Sequence, residues 1–172
     1  MFYACILAII RRIVIRRYQA TRGVMGQLVA IHRGVTNPDD DPEPLQFAEL
    51  QYGAGMLQAE TAGGIINVVE NEVYSECQDQ GLKYEPGDFG EHLTVEWVAL
   101  DTLQMGDVLF FEDEAQVEVI GPYHVPDWIE ELNEVLETVQ EPIGIQGKVV
   151  TGGTITVDMM VHVELQTSEE DY

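Results

Sequence analysis

Cysteine is nearly absent: Cys5 and Cys77 are the only two in 172 residues. That excludes a disulfide framework and a four-cysteine zinc site. No apolar run reaches the roughly 18 to 20 residues that a membrane-spanning helix needs. The sequence also lacks a P-loop, an HExxH, and a GxGxxG followed by a strand and an acid. The usual signatures of nucleotide and zinc-protease chemistry are therefore missing. The four histidines, His32, His92, His124 and His162, are scattered, and no spacing among them suggests a metal site. Cations are scarce too. Eight Lys and Arg face 31 Asp and Glu, for a formal charge of −23. A surface of that sign repels phosphate, so nucleic acid and anionic membrane are poor partners.

The deficit of cations is uneven. Arg11, Arg12, Arg16, Arg17 and Arg22 all precede Met25, and no acid occurs before Asp39. From Met25 onward Arg33, Lys83 and Lys148 stand alone against all 31 acids, a balance of −28. A hydrophobic content of 45% still argues for a packed core rather than general disorder. Abundant Asp and Glu with almost no lysine reads as adaptation to concentrated salt. At molar salt the Debye length falls to about 3 Å and self-repulsion is screened. The expected location is a cytoplasm rich in salt, the plainer alternative being an acidic, solvated surface.

Residues 1–24 differ in kind from the rest of the chain. The apolar run Phe2 to Ile10 precedes its arginine pairs, the reverse of a signal peptide. A basic amphipathic membrane helix is one reading. The favoured one is an atypical extension outside the fold, with Met25 as the real start. The folded domain is expected over 25–165, and 166–172 as an acidic tail.

Within 25–165 the pattern is of short strands broken by glycine. Strand candidates are Gln27–His32, Phe47–Tyr52, Ile65–Val69, Leu93–Val95, Val108–Phe111, Gln116–Ile120, Val149–Val150, Thr154–Val157 and Val161–Leu165. Gln116–Ile120 alternates apolar and polar residues as a half-buried strand does. Two helices are expected. Glu70–Gln80 carries Val69, Val73 and Cys77 at intervals of four, with Gly81 as a stop. Asp127–Gln140 puts Trp128, Leu132, Val135, Leu136 and Val139 on one face, with Asp127 as N-cap. Many short strands and two helices predict a mainly β (α+β) chain forming a closed or nearly closed β-barrel. Cys77, on the apolar face of its helix, reads as a buried inert thiol, since reactive cysteines need electropositive, partly open surroundings. The residues alone lead no further than an acidic β-rich domain.

Four segments resemble the MOSC domain family, the C-terminal module of molybdenum cofactor sulfurases. Met25-Gly26-Gln27-Leu28-Val29-Ala30-Ile31-His32 is similar to its opening strand. Pro86-Gly87-Asp88-Phe89-Gly90-Glu91-His92-Leu93-Thr94 resembles its PGDFGENLT segment. Leu103 to Leu109 is similar to L-x-x-G-D-x-L, and Gly144 to Val157 to G-x-x-x-x-V-x-x-G-G-x-I. The segments follow the family's order and together span about residues 25 to 165. The resemblance implies a MOSC-type barrel and a pyridoxal phosphate-linked family concerned with sulfur transfer. The implied cofactor is the molybdenum cofactor (molybdopterin), and the implied partner is that cofactor or a molybdoenzyme. It puts cofactor contacts at Gly87, Asp88, Gly90, His92 and Thr94. The chemistry is intelligible, since a thiolate can accept sulfane sulfur or ligate a soft metal, and a phosphate-bearing pterin needs N–H donors and cations.

The chain departs from that pattern twice. Where the family has G-x-G-x-x-G-D-R, this chain reads Gly53-Ala54-Gly55-Met56-Leu57-Gln58-Ala59-Glu60, so an acid replaces the arginine. Where the family has a cysteine after a proline, as in P-R-x-P-C, this chain reads Pro122-Tyr123-His124-Val125-Pro126-Asp127. Asp127 falls at the approximate position of the thiol, so no catalytic residue is assigned. Two functions remain open: a MOSC protein acting in cofactor binding or sulfur transfer, in degenerate form, or a non-catalytic binding or scaffold module.

Overall fold

The computed structural model describes residues 25–35, 37, 39–59, 61–129 and 142–164. The strands are β1 (Met25–His32), β2 (Pro44–Leu45), β3 (Phe47–Gln51), β4 (Gly55–Met56), β5 (Ile65–Glu70), β6 (Leu93–Glu96), β7 (Val108–Phe111), β8 (Ala115–Tyr123), β9 (Gly144–Thr151), β10 (Gly153–Thr156) and β11 (Met160–Glu164). Alternation decides which side of each strand is buried. In β8, Ala115, Val117 and Val119 point inward while Gln116, Glu118 and Ile120 are half-exposed. In β1 a register shift between Leu28 and Ala30 breaks the alternation, so that Ile31 and His32 are both buried.

Pairing runs β11-β7-β8-β9-β5-β6-β1, and β1 then pairs β11 through Met25↔His162, Gly26↔Val161 and Gln27↔Met160. Seven strands therefore close a barrel, which leaves no open edge in that ring. Short β2 extends the ring sheet beside the end of β1, and β10-β3-β4 form a separate small sheet. Every pairing is antiparallel except β5 with β6, where Val68↔Leu93, Val69↔Thr94 and Glu70↔Val95 run parallel. A parallel pair needs a crossover. Here it consists of helix α1 (Asn71–Asp79) and the loop through Pro86–His92.

Two apolar clusters follow from this layout. Leu28, Ile66, Val68, Leu93, Val95, Leu109, Phe111, Val117, Ile145 and Val161 fill the barrel. On the other face of β5, Val69 joins Val73, Tyr74 and Cys77 of α1 with Phe89, Ile129 and Ile143. β5 is thus covered on both faces, which is why its sequence is a β-branched run. Tyr74 and Phe89 stack with ring centroids 4.6 Å apart. The helix ends as expected at Gly81, whose φ is +82°, with the Leu82 N–H donating to the Cys77 carbonyl at 2.9 Å.

The expected barrel is present and closed. The expectation of two helices needs correction. Among the described residues there is one α-helix, together with two short 3₁₀ turns, Ala62–Gly64 and Leu100–Thr102. Asp127 and Trp128 form a turn, and the remainder of the expected second helix, from 130 on, lies outside the described residues. Residues 1–24 and the tail from 165 lie outside them as well. No helix among the described residues is long and apolar enough to cross a membrane.

Candidate cleft beside the crossover

The crossover turn is built around a buried carboxyl group. Asp88 Oδ2 accepts the Glu85 N–H at 2.8 Å and closes the turn from outside. Gly87 has φ +101°, and a Cβ there would meet Pro42 and the His32 ring at under 3 Å. Only glycine fits, and its N–H donates to Glu91 Oε1 at 2.7 Å. The same oxygen accepts Tyr74 Oη–H at 2.5 Å and Thr94 Oγ1–H at 2.8 Å. Glu91 is fully buried, and its Oε2 has no partner. Burial pushes its pKa above the usual carboxylate range, while the three donors pull the other way. One side chain thereby ties α1, the turn and β6 together.

His92 comes next and faces the opposite way. Its ring Nδ1 accepts the Asn67 N–H at 3.0 Å, so the ring proton resides on Nε2. Burial lowers its pKa to about 4, so the ring is neutral at pH 7. Gly34, φ +78°, lies across this edge, and a Cβ on it would fall 2.8 Å from His92 Nε2. Gly90, φ +77°, is packed as tightly: a Cβ there would fall 2.9 Å from the Val35 carbonyl oxygen and 3.2 Å from the Trp128 ring. Tyr123 Oη–H holds the turn by donating to the Phe89 carbonyl at 2.6 Å.

These residues form one wall of a cleft of about 420 Å³. Arg33, Gly34 and Val35 after β1, Gln58, Ala59 and Ala62 after β4, and Asn67 and Gln146 from β5 and β9 supply the rest. Asn67 and Gln146 are cross-strand partners, and Gln146 Nε2–H donates to Asn67 Oδ1 at 3.3 Å. Arg33 is the sole cation among the described lining residues, and its Nε lies 3.1 Å from Glu43 Oε2. Asp40 contributes an opposite charge to the same lining.

The nominated residues divide by position. Gly90 and His92 line the cleft; Gly87, Asp88 and Thr94 stand behind it and hold the turn. Asp127 is exposed and is not among the lining residues. The two departing segments do not share a place either. Gln58 and Ala59 reach the cleft, but Gln58 Oε1 is occupied by the Glu49 N–H at 2.9 Å. Sequence reasoning missed Arg33, Asn67, Glu91 and Gln146. A polar Asn67 inside an otherwise β-branched run was the one available signal; Gln146 is placed by register alone. Among the described residues no group of three or more His, Cys, Asp or Glu could hold a metal ion. Cys77 is buried in the helix cluster and does not line the cleft.

Solved structures share this architecture. The YuaD protein from Bacillus subtilis aligns with a TM-score of 0.66 at 14% identity, over 85% of this chain and 99% of that one. YiiM from Geobacillus stearothermophilus gives 0.61 at 18% identity, over 81% and 75%. YiiM from Escherichia coli gives 0.53 at 13%, over 87% and 72%. No family model and no curated protein matches the sequence. At these identities the likeness is one of fold, and the fold is MOSC-like.

The molybdenum cofactor can be set against the cleft as built. A phosphate-bearing pterin with a soft metal asks for a cationic clamp and a thiolate. The described lining has no thiol, one guanidinium already paired to Glu43, and a carboxylate in Asp40. That donor set does not fit the group.

Proposed function

We propose that this protein is a degenerate MOSC-family barrel, a small-molecule-binding module that carries no sulfur of its own and works in concentrated salt. The observation that supports this reading most is the position of Cys77. The thiol lies on the buried face of α1, in one cluster with Val69, Val73, Tyr74 and Phe89. Burial, with Glu76 nearby, pushes its pKa up to about 11. A thiol held neutral and enclosed is a poor sulfur acceptor. The cleft, by contrast, is open, has apolar walls in Val35, Ala59, Ala62 and Ile65, and has a few convergent polar groups, the usual make-up of a ligand site.

A second reading keeps cofactor binding, with a molybdoenzyme as partner. The retained Pro86–Thr94 turn, with Gly90 and His92 on the cleft wall, favours it. Incubation of the full chain with a cysteine desulfurase and cysteine, followed by peptide mass mapping, tests the main reading. The expected result is no added sulfur on Cys77, and slow reaction of Cys77 with a thiol reagent until the chain is unfolded. A persulfide trapped on Cys77 in the folded protein would restore sulfur transfer.

A further inference from the structure

We propose that residues 1–24 dock on the outer face of β1, β11 and β7, an apolar face that begins where this segment joins the barrel. The sequence alone sets these residues outside the fold; the face beside Met25 points the other way, independently of anything in the cleft.

Strand register builds the face. Residues paired across neighbouring strands share one side of a sheet. Met25 pairs with His162, and His162 with Phe110. Their neighbours Val161, Leu109 and Phe111 fill the barrel, so this row faces outward. The His162 and Phe110 rings stack with centroids 4.6 Å apart. One row on, Met160 pairs with Gln27, and Gln27 with Glu96. Trp97 comes next and lies against the start of β1, where a Cβ at Gly26 would fall 2.2 Å from the Glu96 carbonyl oxygen. Met25 is 60% exposed, Trp97 55% and Met160 41%. Single exposed apolar side chains are ordinary, but a group of them around one strand end marks a contact surface.

Two observations name the occupant. The first is where the chain continues. Residue 24 is joined to Met25, at the edge of this face. Residues 18–24 can span at most about 25 Å, and three strands are only about 10 Å across, so the uncharged run Phe2 to Ile10 is long enough in reach to fold back over them. The second is charge. The segment carries Arg11, Arg12, Arg16, Arg17 and Arg22 and no acid. The face is rimmed by acids. Glu112 Oε1 accepts the Met160 N–H at 3.3 Å, Asp158 Oδ1 accepts Gln27 Nε2–H at 3.2 Å, and Glu96 and Glu164 close the two sides. A second copy of the chain, at −23, would bring like charge to that rim. Molar salt screens the attraction of the arginines, and the apolar contact remains.

Hydrogen peroxide oxidation of the full chain in molar KCl, read by peptide mass mapping, tests the docking. Met160 is compared with Met105, which is 73% exposed in the turn before β7. Met160 should oxidise at least about five-fold more slowly, a larger gap than the two exposures alone would give. Ile6→Glu, Ile9→Glu and Ile10→Glu together, all outside the barrel core, should bring the two rates within about two-fold. Similar rates in the unaltered chain, or protection of Met160 that survives the triple substitution, would overturn the inference. Protection that grows with protein concentration alongside a dimer mass would overturn it in favour of a second copy. Protection seen only with phosphatidylglycerol vesicles present would overturn it in favour of a membrane surface.

Discussion

His92 occupies the position where the segment this chain resembles has asparagine. The exchange matters because an amide does not titrate and an imidazole does. In the fold the ring accepts the Asn67 N–H and is buried, with a pKa lowered to about 4 against an ordinary 6.5. A base whose folded pKa is depressed contributes fully above its unfolded pKa and loses that contribution as pH falls through the folded one. The window therefore runs from about pH 6.5 down to about 4, and the full loss is about 3 kcal/mol. Denaturant titrations at stepwise pH should show the unaltered chain losing more stability across that window than His92→Asn. Parallel acid limbs for the two proteins would contradict the assigned ring environment. At this scale part of the site was legible. The Pro86–Thr94 segment identified Gly90 and His92, because its turn chemistry is local and written in consecutive residues. Arg33 and Gln146 were not legible, because they reach the same cleft as His92 only through the way the strands are arranged, and a linear sequence does not specify which strand lies beside which.

Glycine misleads in a linear reading of the strands, and β9 shows why. In this region the sequence suggests a strand at Val149–Val150 alone. The strand runs from Gly144 to Thr151. A Cβ at Gly144 would lie 1.9 Å from the Val68 carbonyl oxygen, and one at Gly147 would lie 2.3 Å from a Val117 methyl. These glycines mark close approach of neighbouring strands rather than chain breaks. β8 is longer than its alternating stretch for a related reason, continuing through Gly121 and Pro122 beside a register shift in its pairing with β9. Gly144→Ala should therefore cost at least about 2 kcal/mol, because backbone has to move. Gly121→Ala, with nothing within 4 Å of its would-be Cβ, should stay within about 0.5 kcal/mol. Equal midpoint shifts in urea for the two variants would refute the close-approach account. By contrast, β5, β7, β11 and α1 were legible nearly to the residue, because β5 and β7 are short apolar runs rich in strand formers, β11 alternates, and α1 repeats its apolar residues at intervals of four. The two-residue strands β2 and β4 carry no period and could not be read.

Across the whole molecule, charge and architecture pull in opposite directions. From Met25 onward 31 acids face three cations on a chain that folds around a closed ring of seven strands. Self-repulsion of that order opposes compaction in dilute buffer and is screened near molar salt, where the Debye length drops from about 10 Å to about 3 Å. The midpoint of thermal unfolding should rise steadily with KCl up to the molar range. An unchanged cooperative transition in dilute buffer would remove the case for salt adaptation. The barrel was legible at this scale because order and spacing of four short segments carry topology, whereas no segment carries the content of the cleft. That content leads to the central proposal, that the cleft of this MOSC-like barrel does not hold the molybdenum cofactor, since its described lining has no thiol and its one guanidinium is paired to Glu43. The most direct measurement is the molybdenum and molybdopterin content of the full chain, produced in a cofactor-synthesising cell and purified in molar salt. The account predicts only trace amounts of either; close to one molybdenum per chain would contradict it.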